Sequence, residues 1–339
     1  MILAGDVGAT KILLEAGDFR SGRWESVLSR RYAIVDFDNM NEVISAFMSE
    51  WEEVRPARAK LTAGGIGVAG PAQNNKAKMT HRPWTIDGDA IARRFGLQQV
   101  RVVNDLAAAA KGVDFLTPRE MLTVQAGKPV ADAQRVVMGV GTGLGIAYLV
   151  PRENRGQAPL SGARGTSANS GYDVVPGEGG HTGFSPASME QLELWRALFA
   201  VHGRVEAEHV VSGRGLSNVY EFMRRQGDAP VGAPEVLEPA QIVDGAVGRG
   251  DHTCQATLDL FVECMGNIAG DHALACLARG GVFITGGVAA KIAPLIKSPR
   301  FLSAFTAKAA FSDFMMRVPV RVALSEEVPV WGAARWALE

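Results

Sequence analysis

Apolar residues along this chain come in short bursts, and most bursts end at glycine. Met1–Ala4 is apolar, Gly5-Asp6-Val7-Gly8-Ala9-Thr10 interrupts it, and Lys11–Ala16 resumes it. Short apolar runs bounded by turn residues are strand-like, so the opening predicts strand, turn and strand. Arg31–Val35 predicts a third strand. In Asn41–Trp51 the period changes, with Val43, Ile44, Phe47, Met48 and Trp51 at helical spacing. Gly64–Ala69 predicts a strand, Met79–Trp84 a loop, Asp87–Phe95 a short helix and Gln99–Val103 another strand. That strand stops abruptly at Asn104-Asp105, and Leu106–Lys111 is suited to helix.

The opening pattern then recurs. Arg135–Val140 reads as a strand, Gly141-Thr142-Gly143-Leu144-Gly145 as a turn and Ile146–Val150 as the returning strand. This suggests an internal repeat, two related domains each opening with a glycine hairpin. Strands first, then helices alternating with strands, argue for an α/β fold with mixed sheets flanked by helices. Pro151–Tyr172, rich in Gly, Ser, Arg and Pro, reads as an exposed loop insertion. Met189–Val201 and Leu216–Gln226 predict helices, Gly227–Pro239 a connector, and Pro239–Ala246 and Ala256–Leu277 two more helices. Gly281–Thr285 predicts a buried strand running into Gly286-Gly287-Val288. Phe301–Phe314 predicts one amphipathic helix, Val318–Leu324 a strand and Val330–Leu338 a closing helix. The domain division expected is residues 1–112 with 327–339, against 113–326.

Composition narrows the class. With 339 residues, 47% of them hydrophobic, the chain can build two domains around a large core. A net charge of −1 gives no reason to expect nucleic acid or an acidic lipid surface as partner. The three cysteines, Cys254, Cys264 and Cys276, form no CxxC pair, which suits a reduced cytoplasm. No basic segment precedes the first apolar residues and no apolar run reaches about 18 residues, so neither a signal peptide nor a membrane span is expected. The 39 glycines gather in short clusters, which suggests tight turns at a ligand.

Candidate chemistry sits where apolar runs stop. Asn104 or Asp105 can cap the helix that follows. Equally, Asp105 can be a base held at a strand end. The turns Gly5–Thr10 and Gly141–Gly143 each combine glycines with a threonine hydroxyl, which lets backbone N–H groups converge on an anion. Either one alone is also an ordinary hairpin turn. Asp6 would repel phosphate directly, so its use would be to hold a divalent metal, through water, near phosphates. No GxxxxGK[ST] motif is present. The GxGxxG match Gly65–Gly70 is followed by Pro71 and a polar loop rather than a helix, which argues against a dinucleotide fold. Those glycines are better used to let a strand pass close to a neighbour or to a hinge. Glu178 and His181 stand between glycines, and Glu206-Ala207-Glu208-His209 adds carboxylates. A metal reading lacks a convincing third ligand. A set of carboxylates and imidazole suits sugar hydroxyls, and a loop histidine is also commonly just a surface residue.

Taken together and in order, these motifs resemble the bacterial glucokinases of the non-zinc type, in the superfamily of hexokinases, actin and the heat-shock chaperone ATPases. The residues that carry the resemblance are Gly5–Thr10, Val103-Asn104-Asp105, Gly141–Gly145, Pro176–His181, Val211–Tyr220 and Phe283–Val288. It covers almost the whole chain. It implies a duplicated ribonuclease H-like, actin-type fold with an interdomain cleft, and transfer of the γ-phosphoryl group of ATP to the 6-hydroxyl of glucose with Mg²⁺. By the matching motifs, Asp105 is the base, and Asn104, Asp105, Glu178, His181 and Glu208 hold the sugar. Gly5, Asp6, Val7, Gly8, Ala9 and Thr10, with Gly141, Thr142 and Gly143, lie at the phosphates. Gly286, Gly287 and Val288, after Thr285, lie against the adenosine. A homodimer is common in the family. The chain departs from the pattern at Ala9, usually glycine, at Lys11, usually asparagine, and in the length of Pro151–Tyr172. It also lacks the zinc-binding cysteine cluster of the related kinase and repressor family. A kinase for mannose, fructose or an N-acetylated sugar is a rival reading. A non-catalytic sugar sensor is another, though no helix-turn-helix segment or basic patch supports it. An ATP-driven chaperone-like or filament protein would leave Glu178, His181 and Glu208 without a use.

Overall fold

Ile2–Val7 (β1) is buried along most of its length and pairs antiparallel with Lys11–Arg20 (β2), Val7 facing Ile12. Residues 1–79, 82–152, 171–227 and 236–339 are described by this computed structural model. They belong to two compact units, Met1–Thr117 with Pro151–Pro176 and Glu327–Glu339, and Pro118–Val150 with Gly177–Glu326.

In the first unit, β2 continues antiparallel into Arg23–Ala33 (β3), while β1 pairs parallel with Ala63–Val68 (β4), which pairs parallel with Gln99–Asn104 (β5). The strand expected at Arg31–Val35 is therefore the end of a longer one, whose largely exposed face hid it from a search for apolar runs. The helix Met40–Val54 begins where Asn39 accepts a hydrogen bond from Glu42 N–H, and it turns Val43, Ile44, Phe47 and Trp51 into the core on one side of the sheet. On the closing helix Val328–Trp336, Val330 and Ala334 pack with Ile2, Ala4 and Ala63.

Here glycine decides how closely elements approach. A Cβ on Gly65 of β4 would lie 1.8 Å from the Ala333 carbonyl oxygen. One on Gly332 would lie 1.7 Å from the Ala108 carbonyl oxygen, and one on Gly112 1.9 Å from that of Val328. Backbone thus touches backbone where the closing helix meets β4 and the helix Asp105–Gly112. Of the GxGxxG match, Gly65 serves this close packing, and Gly67, where a Cβ would lie 3.0 Å from Ala108 Cβ, faces the helix Asp105–Gly112. The same contact is fastened by Trp336, whose indole N–H donates to Ala107 O (3.2 Å), and by buried Lys111, which sits 3.5 Å over the Trp336 ring and pairs with Glu339.

The second unit repeats the plan. Arg135–Val140 (β7) pairs antiparallel with its hairpin partner Leu144–Pro151 (β8) and parallel with Gly281–Thr285 (β9). β9 pairs parallel with Val320–Ala323 (β10), and Met121–Gln125 (β6) closes that edge antiparallel. In both sheets the first strand of the glycine hairpin lies between its own hairpin partner and a parallel crossover strand, so the repeat seen in the glycine hairpins is a repeat of topology, although β6 precedes the hairpin in the second unit. β6 had no sequence signal, because only Val124 of its five residues is fully buried. The helix His252–Ala275 runs through the core, with Leu258, Phe261, Cys264, Met265 and Ile268 buried.

Phe301–Phe314 is not one helix. It breaks into Pro299–Thr306, a turn at Ala309–Phe311 and Ser312–Met315. The break lies where Lys308 turns back to bond Asn267 O (3.0 Å), Asn267 Oδ1 (2.7 Å) and Asp271 (2.6 Å). Most of the expected insertion and of the 227–239 connector, and residues 80–81 of the Met79–Trp84 loop, lie outside the described residues. No helix among the described residues is long and apolar enough to cross a membrane.

Candidate active site

In the first unit the strand β5 delivers Asn104 and Asp105 to the start of a helix. Asn104 is the cap: its side-chain oxygen accepts from Leu106 N–H (3.0 Å) and Ala107 N–H (3.2 Å), while its amide donates to Gly70 O (3.2 Å). Asp105 Oδ1 accepts from Leu106 N–H at 2.8 Å. Both side chains are thus oriented by backbone. Asp6, half-buried on β1, stands close enough to feel the charge of Asp105. Its carboxyl is raised to about 7, first by burial, then by Asp105, with Arg31 opposing. Of the expected phosphate turn, Gly5, Asp6 and Val7 are strand residues. Val7 is in the core, and a Cβ on Gly5 would press within 2.8 Å of Leu14. Only Gly8, Ala9 and Thr10 form the turn, closed by Gly8 N–H to Lys11 O at 3.0 Å.

In the second unit the turn Gly141–Gly143 closes through Gly141 N–H to Gly143 O (3.0 Å), leaving Thr142 exposed at its tip. Gly213 N–H donates to Gly141 O (2.8 Å) from the first turn of the helix Gly213–Gln226, which Ser212 caps. Glu208 lies against the same turn. Its Oε2 accepts from Leu144 N–H at 2.8 Å, and a Cβ on Gly143 would sit 2.6 Å from that oxygen.

The Glu178–His181 loop lies flat on β8 because Gly179 and Gly180 have no side chains. A Cβ on Gly180 would be 2.0 Å from Leu144 O, and one on Gly179 would be 2.6 Å from Ile146 Cβ. His181 Nδ1 is 2.7 Å from Glu206 Oε2. That bond raises the His181 pKa against partial burial, and the charges of Glu208, Glu206 and Glu178 add to it. The structure therefore gathers Glu178, His181 and Glu208, and adds Glu206. In the sequence Glu206 was one carboxylate of a pair with Glu208, and nothing there said which one faces His181. Past β9, Gly286 has φ of 102°, and a Cβ on it would meet Val140 O at 2.4 Å. Gly287 opens the short helix Gly287–Lys291, and Val288 packs its side chain against the core. Among the described residues no group of three or more His, Cys, Asp or Glu side chains is placed to hold a metal ion.

The family model described as glucokinase matches residues 3–339. The chain belongs to the glucokinase family. The glucokinase of Mesorhizobium japonicum is 34% identical over 340 residues, covering 99% of this chain and 91% of that one. The crystal structure of a glucokinase from an Antarctic psychrotroph has a TM-score of 0.80 and 27% identity, covering 99% of this chain and 98% of that one. A ROK family glucokinase from Streptomyces griseus, solved in complex with glucose and AMPPNP, has a TM-score of 0.60 and 20% identity, with 99% of each chain covered. At that identity the likeness is one of fold, the two-domain actin-type α/β architecture that the glucokinase family shares with these sugar kinases.

Proposed function

We propose that this chain transfers the γ-phosphoryl group of ATP to the 6-hydroxyl of glucose, with Asp105 as the general base. Membership of the glucokinase family supports the reaction. The observation that carries the role of Asp105 is its position: a carboxylate at a strand end, oriented by Leu106 N–H in the first turn of a helix and set beside a second carboxylate, Asp6.

Phosphoryl transfer through a loose transition state asks the protein for positioning and charge neutralisation. Asp105 orients the attacking hydroxyl and accepts its proton as the bond to phosphorus forms, a contribution of roughly 10²–10⁴ in rate. Asn104, already fixed by its cap, presents its amide to a neighbouring hydroxyl. Glu178, His181 and Glu208 hold the remaining hydroxyls. The turns Gly8–Thr10 and Gly141–Gly143 receive phosphate oxygens through N–H groups other than those of Gly8 and Gly141, which close the turns, and Gly286, Gly287 and Val288 lie against the adenosine. Asp6 would suit Mg²⁺ held through water, because it is a hard oxygen donor beside a second carboxylate, Asp105. Bound there with the nucleotide, Mg²⁺ would neutralise charge on the phosphates.

The test pairs turnover with binding. In Asp105→Asn, sugar-dependent ADP production falls by roughly 10²–10⁴ while the glucose dissociation constant, measured by calorimetry, stays within a few-fold. Near-normal turnover in that variant removes Asp105 from the chemistry. A panel of glucose, mannose, fructose and N-acetylglucosamine shows the highest kcat/KM for glucose, and a preference for another sugar replaces the assigned substrate.

A further inference from the structure

His181 is more than half exposed at the end of the turn Gly179–His181. An exposed imidazole has free torsions and two neutral tautomers, and only one tautomer offers a lone pair at Nε2. A sugar hydroxyl gains from such a group only if something holds it.

The fold supplies that holder. Phe184 N–H donates to Val205 O (3.0 Å) and Ala207 N–H to Thr182 O (2.9 Å), so the segments after His181 and around Glu206 are zipped together. Gly183 and Glu206 form an antiparallel bridge. This places the Glu206 carboxylate 2.7 Å from His181 Nδ1. The same side chain accepts from His209 N–H, and His209 Nδ1 accepts from Glu206 N–H at 3.2 Å, which closes a reciprocal cap on the turn Ala207–His209. Glu208 rides on that turn. Arg204 completes the arrangement, with Nε 3.7 Å from Glu206 Oε1 and a guanidinium N–H donating to His181 O at 3.2 Å.

We propose that Glu206 is the positioning residue of the sugar site: it takes the Nδ1–H of His181, leaving Nε2 to meet a sugar hydroxyl, and it caps the turn that carries Glu208. The inference rests on the reading of His181 and Glu208 as sugar ligands. Glu206 itself touches no substrate. Its effect belongs in glucose affinity rather than in the chemical step.

The experiment uses the full chain and the variants Glu206→Gln, Glu206→Asp and His181→Ala. In Glu206→Gln the KM for glucose rises about tenfold, the scale of one charge-assisted hydrogen bond, while kcat at saturating glucose and the KM for ATP change little. The groups facing His181 are Glu178, Glu206 and Glu208, with His209 and Arg204 beside Glu206. Removing the Glu206 charge lowers the His181 pKa, so the imidazole titration followed by NMR, and the matching limb of the glucose KM against pH, both move to lower pH. Glu206→Asp, which keeps the charge, recovers part of the loss. Unchanged glucose KM and unchanged His181 titration in Glu206→Gln overturn the proposal. So does an equal loss for both substrates with a lowered Tm, the mark of a purely structural residue. If His181→Ala binds glucose as the parent chain does, the sugar-ligand reading itself falls. A damaged His181→Ala beside an intact Glu206→Gln removes the Glu206 inference alone.

Discussion

Beneath Gly179, the first glycine after Glu178, lies His272. A Cβ on Gly179 would come within 3.0 Å of the His272 ring, whose Nδ1 is 2.8 Å from the Tyr148 hydroxyl. Burial lowers the His272 pKa, with Asp271 opposing. A histidine whose folded pKa is below the unfolded value of about 6.5 binds more protons when unfolded. Its share of stability is intact above pH 6.5 and is lost as pH falls through 6.5 toward the folded pKa. We expect the Tm of the parent chain to fall more between pH 7.5 and 5.5 than the Tm of His272→Gln, and parallel slopes would reject this. In the sequence Glu206 was one of two carboxylates with Glu208, undistinguished from it, and His272 did not stand out as a partner of the site. Asn104, Asp105, Glu178 and His181 did, because polar groups that interrupt apolar runs or stand between glycines are visible without a fold. His272 is one of several polar residues along a long helix, and its neighbour Gly179 is 93 positions away by the numbering, a contact only folding creates.

At the scale of elements, the helix that begins at Asp105 is held by backbone contact with the closing helix. Gly332→Ala would drive a methyl group into the Ala108 carbonyl, which overpacks a seam that has no slack. We expect a loss of about 1–3 kcal/mol, read as a lower urea midpoint with unchanged m. Gly248→Ala, where a Cβ meets open space, serves as control and does not lower the midpoint. Sequence periodicity placed both of these helices and the strands β4, β5, β7 and β9 correctly, because their apolar runs are continuous and bounded by glycine or polar residues, but it ended β1 at Ala4, three residues short of Val7. It failed at β3 and β6, where burial is sparse, and at Phe301–Phe314, where apolar spacing continues through a chain that Lys308 folds back. It also took Gly213 and Gly215 to lie before a helix that in fact starts at Gly213. A Cβ on Gly215 would lie 2.5 Å from Val210 O, so glycine there is a packing requirement rather than a helix break.

At the scale of the molecule, each unit has its own sheet and its own buried core. Units with separate cores depart from two-state unfolding. Scanning calorimetry is expected to give a calorimetric enthalpy larger than the van't Hoff enthalpy, and Gly332→Ala is expected to lower the transition of the first unit while leaving that of the second in place. A single transition with equal enthalpies, shifted as a whole by Gly332→Ala, would contradict this.

The linear order of residues was enough to show two glycine hairpins heading two α/β halves, the family they belong to, and most of the polar groups that the proposed chemistry uses. These are local facts: periodicity, a run that stops, a glycine where a side chain would intrude. Partnership was decided elsewhere. Which of Glu206 and Glu208 meets His181, which carboxylate raises Asp6, and why Gly65, Gly112 and Gly332 are glycines all depend on distances between residues far apart in the chain. Such distances are set when sheets and helices pack, since a carboxylate acts over a few ångströms of space and not over positions of sequence.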